Sequence, residues 1–351
     1  MAQAPFLGIA LGFVAAQLVL VAIFRGMEMP AANSVLLVMI STLLMLGMVL
    51  VANLFAQMLL SDRPRDPTWQ LIRRVWGFLH DIRAMSLGLP VFVSLVIFIY
   101  AFSSVKGNIP VFQPFAWDRT FDHWDMVLHL GRRPWEWLQP VVGHWPVTFV
   151  INVLYNLWFA VLFSVLLHFA FMTAPGVART RFFLTFLLQW MIGGGLTAVL
   201  FSSAGPCFYG AGHLGLSPDP YAPLMAYLHD ADRWAPIWAL DVQDELWKLH
   251  AAHSAEASLS AMPSMHNGST LLFALASGGF LPWIRRFLKA YVAVIFVGSI
   301  HLGYHYAVDS YVAWALTLAI WWAAGYMARR WEATRMATRF RAAFAESPAS
   351  L

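Results

Sequence analysis

The stretch His301-Leu302-Gly303-Tyr304-His305-Tyr306-Ala307-Val308-Asp309 places two imidazoles and a carboxylate between two segments that read as membrane spans. Ionisable side chains at a membrane boundary cost free energy unless they are used, so the stretch is a functional candidate. A second polar cluster, Ala261-Met262-Pro263-Ser264-Met265-His266-Asn267-Gly268, opens the preceding apolar run. Two such clusters at the ends of neighbouring spans read as one site inside a helical bundle.

The rest of the chain supports that setting. Of its 351 residues 60% are hydrophobic and only 11% charged, against about 25% charged in soluble domains. The expected fold is all-α, a polytopic transmembrane helical bundle forming one integral membrane domain over residues 1–351. A bilayer core needs about 20 apolar residues per helix. Runs at 6–24, 34–60, 86–105, 147–172, 182–201, 267–284, 290–304 and 308–327 give about eight spans. The seventh is short, as suits a helix that ends at a polar site. Residues 6–24 lack a basic leader and a small-x-small cleavage site, so they read as a retained span rather than a signal peptide. Cys207 is the sole cysteine, which excludes an intrachain disulfide and any Cys-based metal or redox motif. The net charge of +4 is scattered between apolar runs and forms no patch for nucleic acid.

Basic residues orient the bundle. One set of links carries Arg63, Arg65, Arg73, Arg74 and Arg83, then Arg179 and Arg181, then Arg285, Arg286 and Lys289, and finally Arg329, Arg330, Arg335, Arg339 and Arg341. The opposite set holds fewer: Arg25, Lys106, Arg119, Arg132, Arg133, Arg233 and Lys248. An even number of spans then puts both termini, with a basic tail over 328–351, in the cytoplasm, and His266, His305 and Asp309 at the outer face. Short loops and an Ala/Arg/Trp-rich composition suggest a bacterial inner membrane with the site on its periplasmic side. Two long segments share that face. In 107–146, Trp117, Phe121, Trp124, Trp135 and Trp137 alternate with Asp118, Asp122, Asp125, Arg132 and Arg133, which suits a helix lying in the headgroup region with its apolar side down, as an interfacial aromatic belt or as a lid over a lipid site. In 202–263, Pro and Gly up to Pro236 predict irregular chain, and 239–252 reads as a short helix carrying Lys248.

If a helix runs through His305 and Asp309, residues four apart share one face. A carboxylate on one imidazole nitrogen fixes the tautomer and leaves the other nitrogen free to attack. His266 supplies a general acid for a leaving oxygen. Pro263-Ser264 suits a helix start with Ser264 as cap, and the first turn through Asn267 and Gly268 then aims N–H groups at a phosphate. Nucleophilic His, acid His and a phosphate cradle point to phosphoryl transfer through a phosphohistidine, with no metal and no other cofactor.

Pro263-Ser264-Met265-His266 resembles the Pro-Ser-Gly-His motif of type-2 phosphatidic acid phosphatases, and His305-Tyr306-Ala307-Val308-Asp309 resembles their His-x-x-x-Asp motif. The wording Ala-Met-Pro-Ser-Met-His and His-Tyr-x-x-Asp is similar to the inositol phosphorylceramide synthase branch, as is Gly205-Pro206 after a span. The resemblance covers a core of about 147–327. It implies His305 as nucleophile, Asp309 as its orienter and His266 as acid, then as base for an incoming hydroxyl. It also implies membrane lipids as substrates: a phospholipid donor such as phosphatidylinositol and a lipid alcohol such as ceramide. Two departures stand out. The family's Lys-x6-Arg-Pro motif aligns with Gly205-Pro206, where neither basic residue is present, and Ser299 occupies the Arg position of the motif's Ser-Arg. His301, one turn before His305, is the first substitute expected to bind phosphate, with Lys248 and Arg233 behind it and Ser264, Asn267, Gly205 and Pro206 as further contacts. Losing both basic motifs disfavours a highly charged monoester and favours a phosphodiester donor.

Other readings compete. A lipid phosphatase shares all three catalytic groups. A coupled transporter needs midplane charges, which the spans lack. His301-x-x-x-His305 has the spacing of a metal-binding box, but such enzymes need several. A non-enzymatic membrane module would leave the three spaced groups without a use.

Overall fold

A computed structural model describes residues 3–24, 26–27, 32–61, 64–252, 254 and 259–346. Arg25 and Arg63, used above in the charge asymmetry, lie outside the described residues. Among these the chain is helical: α1 (Ala4–Ile23), α2 (Ala32–Ser61), α3 (Pro67–His80), α4 (Ile82–Gly107), α5 (Asp118–Leu128), α6 (Pro134–Val142), α7 (Trp145–Met172) and α8 (Val177–Leu200). Then follow α9 (Ala222–Asp232), α10 (Trp238–Ala251), α11 (Met265–Ala276), α12 (Pro282–His301), α13 (Ala307–Glu332) and α14 (Arg335–Glu346). Among the described residues five helices, α1, α4, α7, α8 and α13, are each long and apolar enough to cross a bilayer. The chain is an integral membrane protein with a polytopic helical fold.

The run expected as a sixth span, 267–284, does not form one. α11 has 12 residues and gives way to a 3-10 turn at Ser277–Gly279, ahead of Pro282. At 1.5 Å per residue it is about 18 Å long, well short of an apolar core of about 30 Å. α11 therefore carries its N-terminus to the site without crossing the apolar core itself. The seventh run behaves in the opposite way: α12 is a full 20 residues, starting with the basic turn Arg285, Arg286 and Lys289. The stretch expected as a tail from 328 is helical to Glu346, and Arg341 ties α14 back to Glu332 at 3.1 Å.

α8 packs along α13, and α11 is enclosed by α12, α13 and α8. α1 lies on α4, and α2 covers α7. The main core joins Phe98 and Phe102 of α4, Phe182, Phe183 and Phe186 of α8 and Phe273 of α11, all buried. Gly193-Gly194-Gly195 sits in a π-helical stretch of α8. A Cβ at Gly194 would lie 2.8 Å from the Phe102 ring, so the glycine lets α4 and α8 approach closely.

Candidate active site

α12 ends at His301, and Gly303 turns the chain with φ +75°. The amides of Tyr304 and His305 then both donate to the Ser299 carbonyl at 3.0 Å. His305 consequently precedes α13 and does not ride on it. Tyr306, extended at ψ 153°, is the cap residue, and Asp309 belongs to the first turn. One carboxylate oxygen serves both tasks: Asp309 Oδ2 accepts from the Tyr306 amide at 3.0 Å and lies 3.2 Å from His305 Nδ1. The pair expected on one helix face is thus made across a helix start, with the carboxylate fixed by the backbone it caps. Asp309 Oδ1 has no partner among the described residues.

Ser264 caps α11, accepting from the Asn267 amide at 3.4 Å and its side-chain amide at 3.0 Å. Asn267 also donates to Ser299 Oγ at 3.1 Å, tying α11 to α12. The Ser264 amide donates to the Asp309 carbonyl at 3.2 Å, so the two polar clusters are joined through backbone. Ser264 and Asn267, expected as substrate contacts, spend these groups on the frame; Asn267 Oδ1 stays unpartnered. His266 lies between aromatic rings, 4.8 Å from Tyr155 and 4.2 Å from Trp158, and its ring centre is 6.5 Å from that of His305. Tyr155 and Trp158 sit between about 15 and 20 Å along α7 from its first residue. Trp158 is held by its indole N–H on Ser269 Oγ at 2.9 Å.

α5 forms the roof. Its carboxylates Asp118, Asp122 and Asp125 face inward and are buried, while Trp124, Val127 and Leu128 are 40%, 64% and 58% exposed. Each acid finds donors that only the protein interior offers. Asp118 accepts from the amides of Ala204 and Gly205 at 3.0 and 2.9 Å and from the Tyr306 hydroxyl at 2.9 Å. Asp122 accepts from Arg133 Nε and Nη2 at 2.6 and 3.0 Å and from the Tyr221 hydroxyl at 2.8 Å. Asp125 accepts from the amides of Ala307 and Val308 at 2.8 and 3.0 Å, capping α13 beside the Asp309 turn. Burial pushes Asp125 up to about 7 despite those two amides, and raises Asp118 as well. Their spacing, four and three residues apart, already puts the three on one helix face.

The Gly205-Pro206 turn is part of this frame. Gly205 has φ +111°, and a Cβ there would sit 2.7 Å from the Tyr304 carbonyl oxygen. Its amide is taken by Asp118, and the Cys207 amide donates to the Gly303 carbonyl at 2.9 Å. The turn therefore buttresses the His305 loop instead of offering free amides to phosphate. His301 is placed away from His305, because the helix ends between them. It is fully buried, its Nε2 is 2.9 Å from Thr148 Oγ1, and its ring faces Tyr227 at 5.9 Å. The spacing that suggested a shared phosphate or metal is thus not expressed, and among the described residues no three His, Cys, Asp or Glu side chains gather as a metal site. Lys248 and Arg233 are exposed on the surface, Arg233 beside Asp230 at 3.5 Å. Lys106, counted above only for topology, is the cation whose charge acts on both His266 and His305.

Fold and site together define a polytopic membrane protein with a recessed two-histidine centre, one histidine held by a carboxylate. A family model described as PAP2 superfamily matches residues 120–323, more than half of the chain, and the protein belongs to that superfamily. Membership supports a membrane enzyme of lipid phosphatase or phosphotransferase type. The match begins ahead of the core expected from the motifs and takes in α5 and α6, the roof. No curated protein and no solved structure gives a significant match.

Proposed function

We propose that the protein is a lipid phosphotransferase that works through a phosphohistidine, moving a phospho-headgroup from a phospholipid to a lipid alcohol. The observation that carries this reading is the His266–His305 pair, 6.5 Å apart between ring centres, with Asp309 on the far nitrogen of His305. With Nδ1 engaged, Nε2 of His305 attacks phosphorus. The phosphorus–oxygen bond to the glyceride breaks as His266 donates its proton to the departing oxygen. Diacylglycerol leaves, and the headgroup phosphate remains on His305. In the second half, His266 takes the proton of an incoming hydroxyl, which attacks phosphorus and frees His305. These proton and phosphoryl transfers call on no metal.

Transfer to an alcohol, in preference to hydrolysis, is supported by the position of the pair beneath the roof, with His266 between the apolar rings of Tyr155 and Trp158. A groove of about 490 Å³ begins at Leu157, next to Trp158, and runs along α7 to Met172 against α2 and the start of α12. Its lining, including Leu50, Val161, Val165, Phe280, Ile284 and Leu288, suits a hydrocarbon tail. Phosphatidylinositol and ceramide are the donor and acceptor that the wording of the motifs suggests. The excess of Arg at the opposite end supports a site opening on the non-cytoplasmic side, the periplasm if the membrane is a bacterial inner one.

The test is purified protein in mixed micelles with labelled phosphatidylinositol and ceramide, with and without EDTA, beside His305→Ala. EDTA-resistant transfer of label to ceramide, lost in the variant, is the expected result. Label appearing only as free phosphate or inositol phosphate would make the protein a hydrolase, and full turnover by His305→Ala would overturn the phosphohistidine.

A further inference from the structure

Lys106 closes α4 one turn beyond Phe102, and that turn is fixed against the site. Phe102 packs on Gly194, and Met265 of α11 approaches the same glycine, 3.4 Å from where a Cβ would stand. Phe102 also meets Trp190 edge-on at 5.1 Å, and Trp190 neighbours Trp158, the ring beside His266. Residues four apart share a helix face, so Lys106 continues the Phe102 face toward the site end of the bundle. Its charge accordingly acts on both histidines.

The side chain is half-buried, and among the described residues no carboxylate pairs with it and no acceptor takes its hydrogen bonds. An ammonium drawn from water without a partner is costly. Its complement must then come with the substrate. Other cations described at this end are committed or exposed: Arg133 grips Asp122, Arg132 lies over Trp137, and Arg119, Arg233 and Lys248 are exposed. The carboxylates near the pair are likewise engaged, Asp309 with His305 and the Tyr306 amide, Asp118 and Asp125 with backbone amides.

We propose that Lys106 is the cation that binds the substrate phosphate, in place of the two basic motifs this chain lacks, and that, with the Asp309 carboxylate offsetting the proton His266 carries for the leaving oxygen, its single charge matches a singly charged phosphodiester better than a doubly charged phosphomonoester. The residue lies outside the 120–323 family match, so the family relationship does not assign it. The inference rests on the phosphoryl-transfer reading of the site. A bound phosphomonoester would retain an uncompensated negative charge in a half-buried pocket, whereas a phosphodiester is neutralised.

The experiment measures binding to the full chain in detergent at pH 7.5, by calorimetry, of two probes with the same tails: dihexanoylphosphatidylglycerol, a diester, and dihexanoylphosphatidic acid, a monoester. Lys106→Met and Lys106→Gln are expected to weaken the diester by about tenfold to a hundredfold, the loss of one charge-assisted hydrogen bond. Lys106→Arg should restore most of the affinity, and thermal unfolding checks that all variants are folded. Unchanged diester affinity in both neutral variants would overturn the assignment. Tighter binding of phosphatidic acid by the wild-type protein would overturn the charge match. His305→Ala should still bind the diester while losing turnover; if it instead kept turnover, the phosphoryl-transfer reading would fall while the Lys106 binding result would stand by itself.

Discussion

His305 and Asp309 meet across a helix start, and that placement sharpens what Asp309 does. Its carboxylate is fixed by the Tyr306 amide before it ever meets the imidazole. Asp309→Asn should therefore leave the helix capped through the retained carbonyl oxygen, yet lose the preference for the reactive tautomer. Turnover is expected to fall by about 10²–10⁴-fold, as for His266→Ala, with little change in thermal unfolding. Equal losses of activity and Tm would instead make Asp309 a structural residue. The identity of this pair was legible in the sequence because two imidazoles and an acid are conspicuous among apolar spans. Its geometry was not, since only the turn at Gly303 and the extended Tyr306 show that His305 sits outside the helix. The same turn ends α12 at His301, ahead of His305, and no spacing rule reveals where a helix stops. Lys106 was visible at the end of a span, but its link to the histidines depends on how α4 packs on α8.

Among the elements, α5 holds three parts of the chain by three side chains, and one of them responds to pH. Asp125 has a folded-state value of about 7, above its ordinary 3.8, because burial outweighs the two amides it accepts. The folded protein therefore binds a proton that the unfolded chain releases between about pH 4 and pH 7, so this group's contribution to stability is present at low pH and is lost as pH rises through about 7. The neighbouring charges are Asp309, which adds to the upward shift, and His129, which opposes it. Asp125→Asn should flatten the fall in Tm between pH 5 and pH 8 relative to wild type. Identical Tm profiles would show that Asp125 is ionised throughout. The tryptophans of this helix are conspicuous in the sequence; that buried amides at a loop and a helix start need its acids as acceptors is not. The end of α11 was legible, because Ser277-Gly278-Gly279 and Pro282 carry the stop signal short of 284.

At the scale of the whole molecule, hydropathy made the helical bundle legible, because membrane spans must be both long and apolar. The depth of the site was not legible, since it depends on the short α11 and on the part of α7 that rises past His266. Orientation can be tested in a Cys207→Ala background carrying either Lys248→Cys on α10 or Arg339→Cys on α14, both exposed positions. A membrane-impermeant maleimide added to intact cells is expected to label position 248 alone, with 339 reacting only after permeabilisation. The reverse pattern would put the site on the cytoplasmic side.

The three inward carboxylates of α5 have one more consequence. Asp118 is bonded to the Gly205 turn, Asp122 to Arg133 and Tyr221, and Asp125 to the start of α13. A roof fastened at three points is poorly suited to opening with every turnover, so the proposed lipid substrates are expected to exchange sideways, through the bilayer plane. The concentration that governs the rate is then two-dimensional. At fixed total substrate, adding inert detergent should slow turnover in proportion to the falling mole fraction of donor lipid, whereas a site fed from water would be indifferent to that dilution.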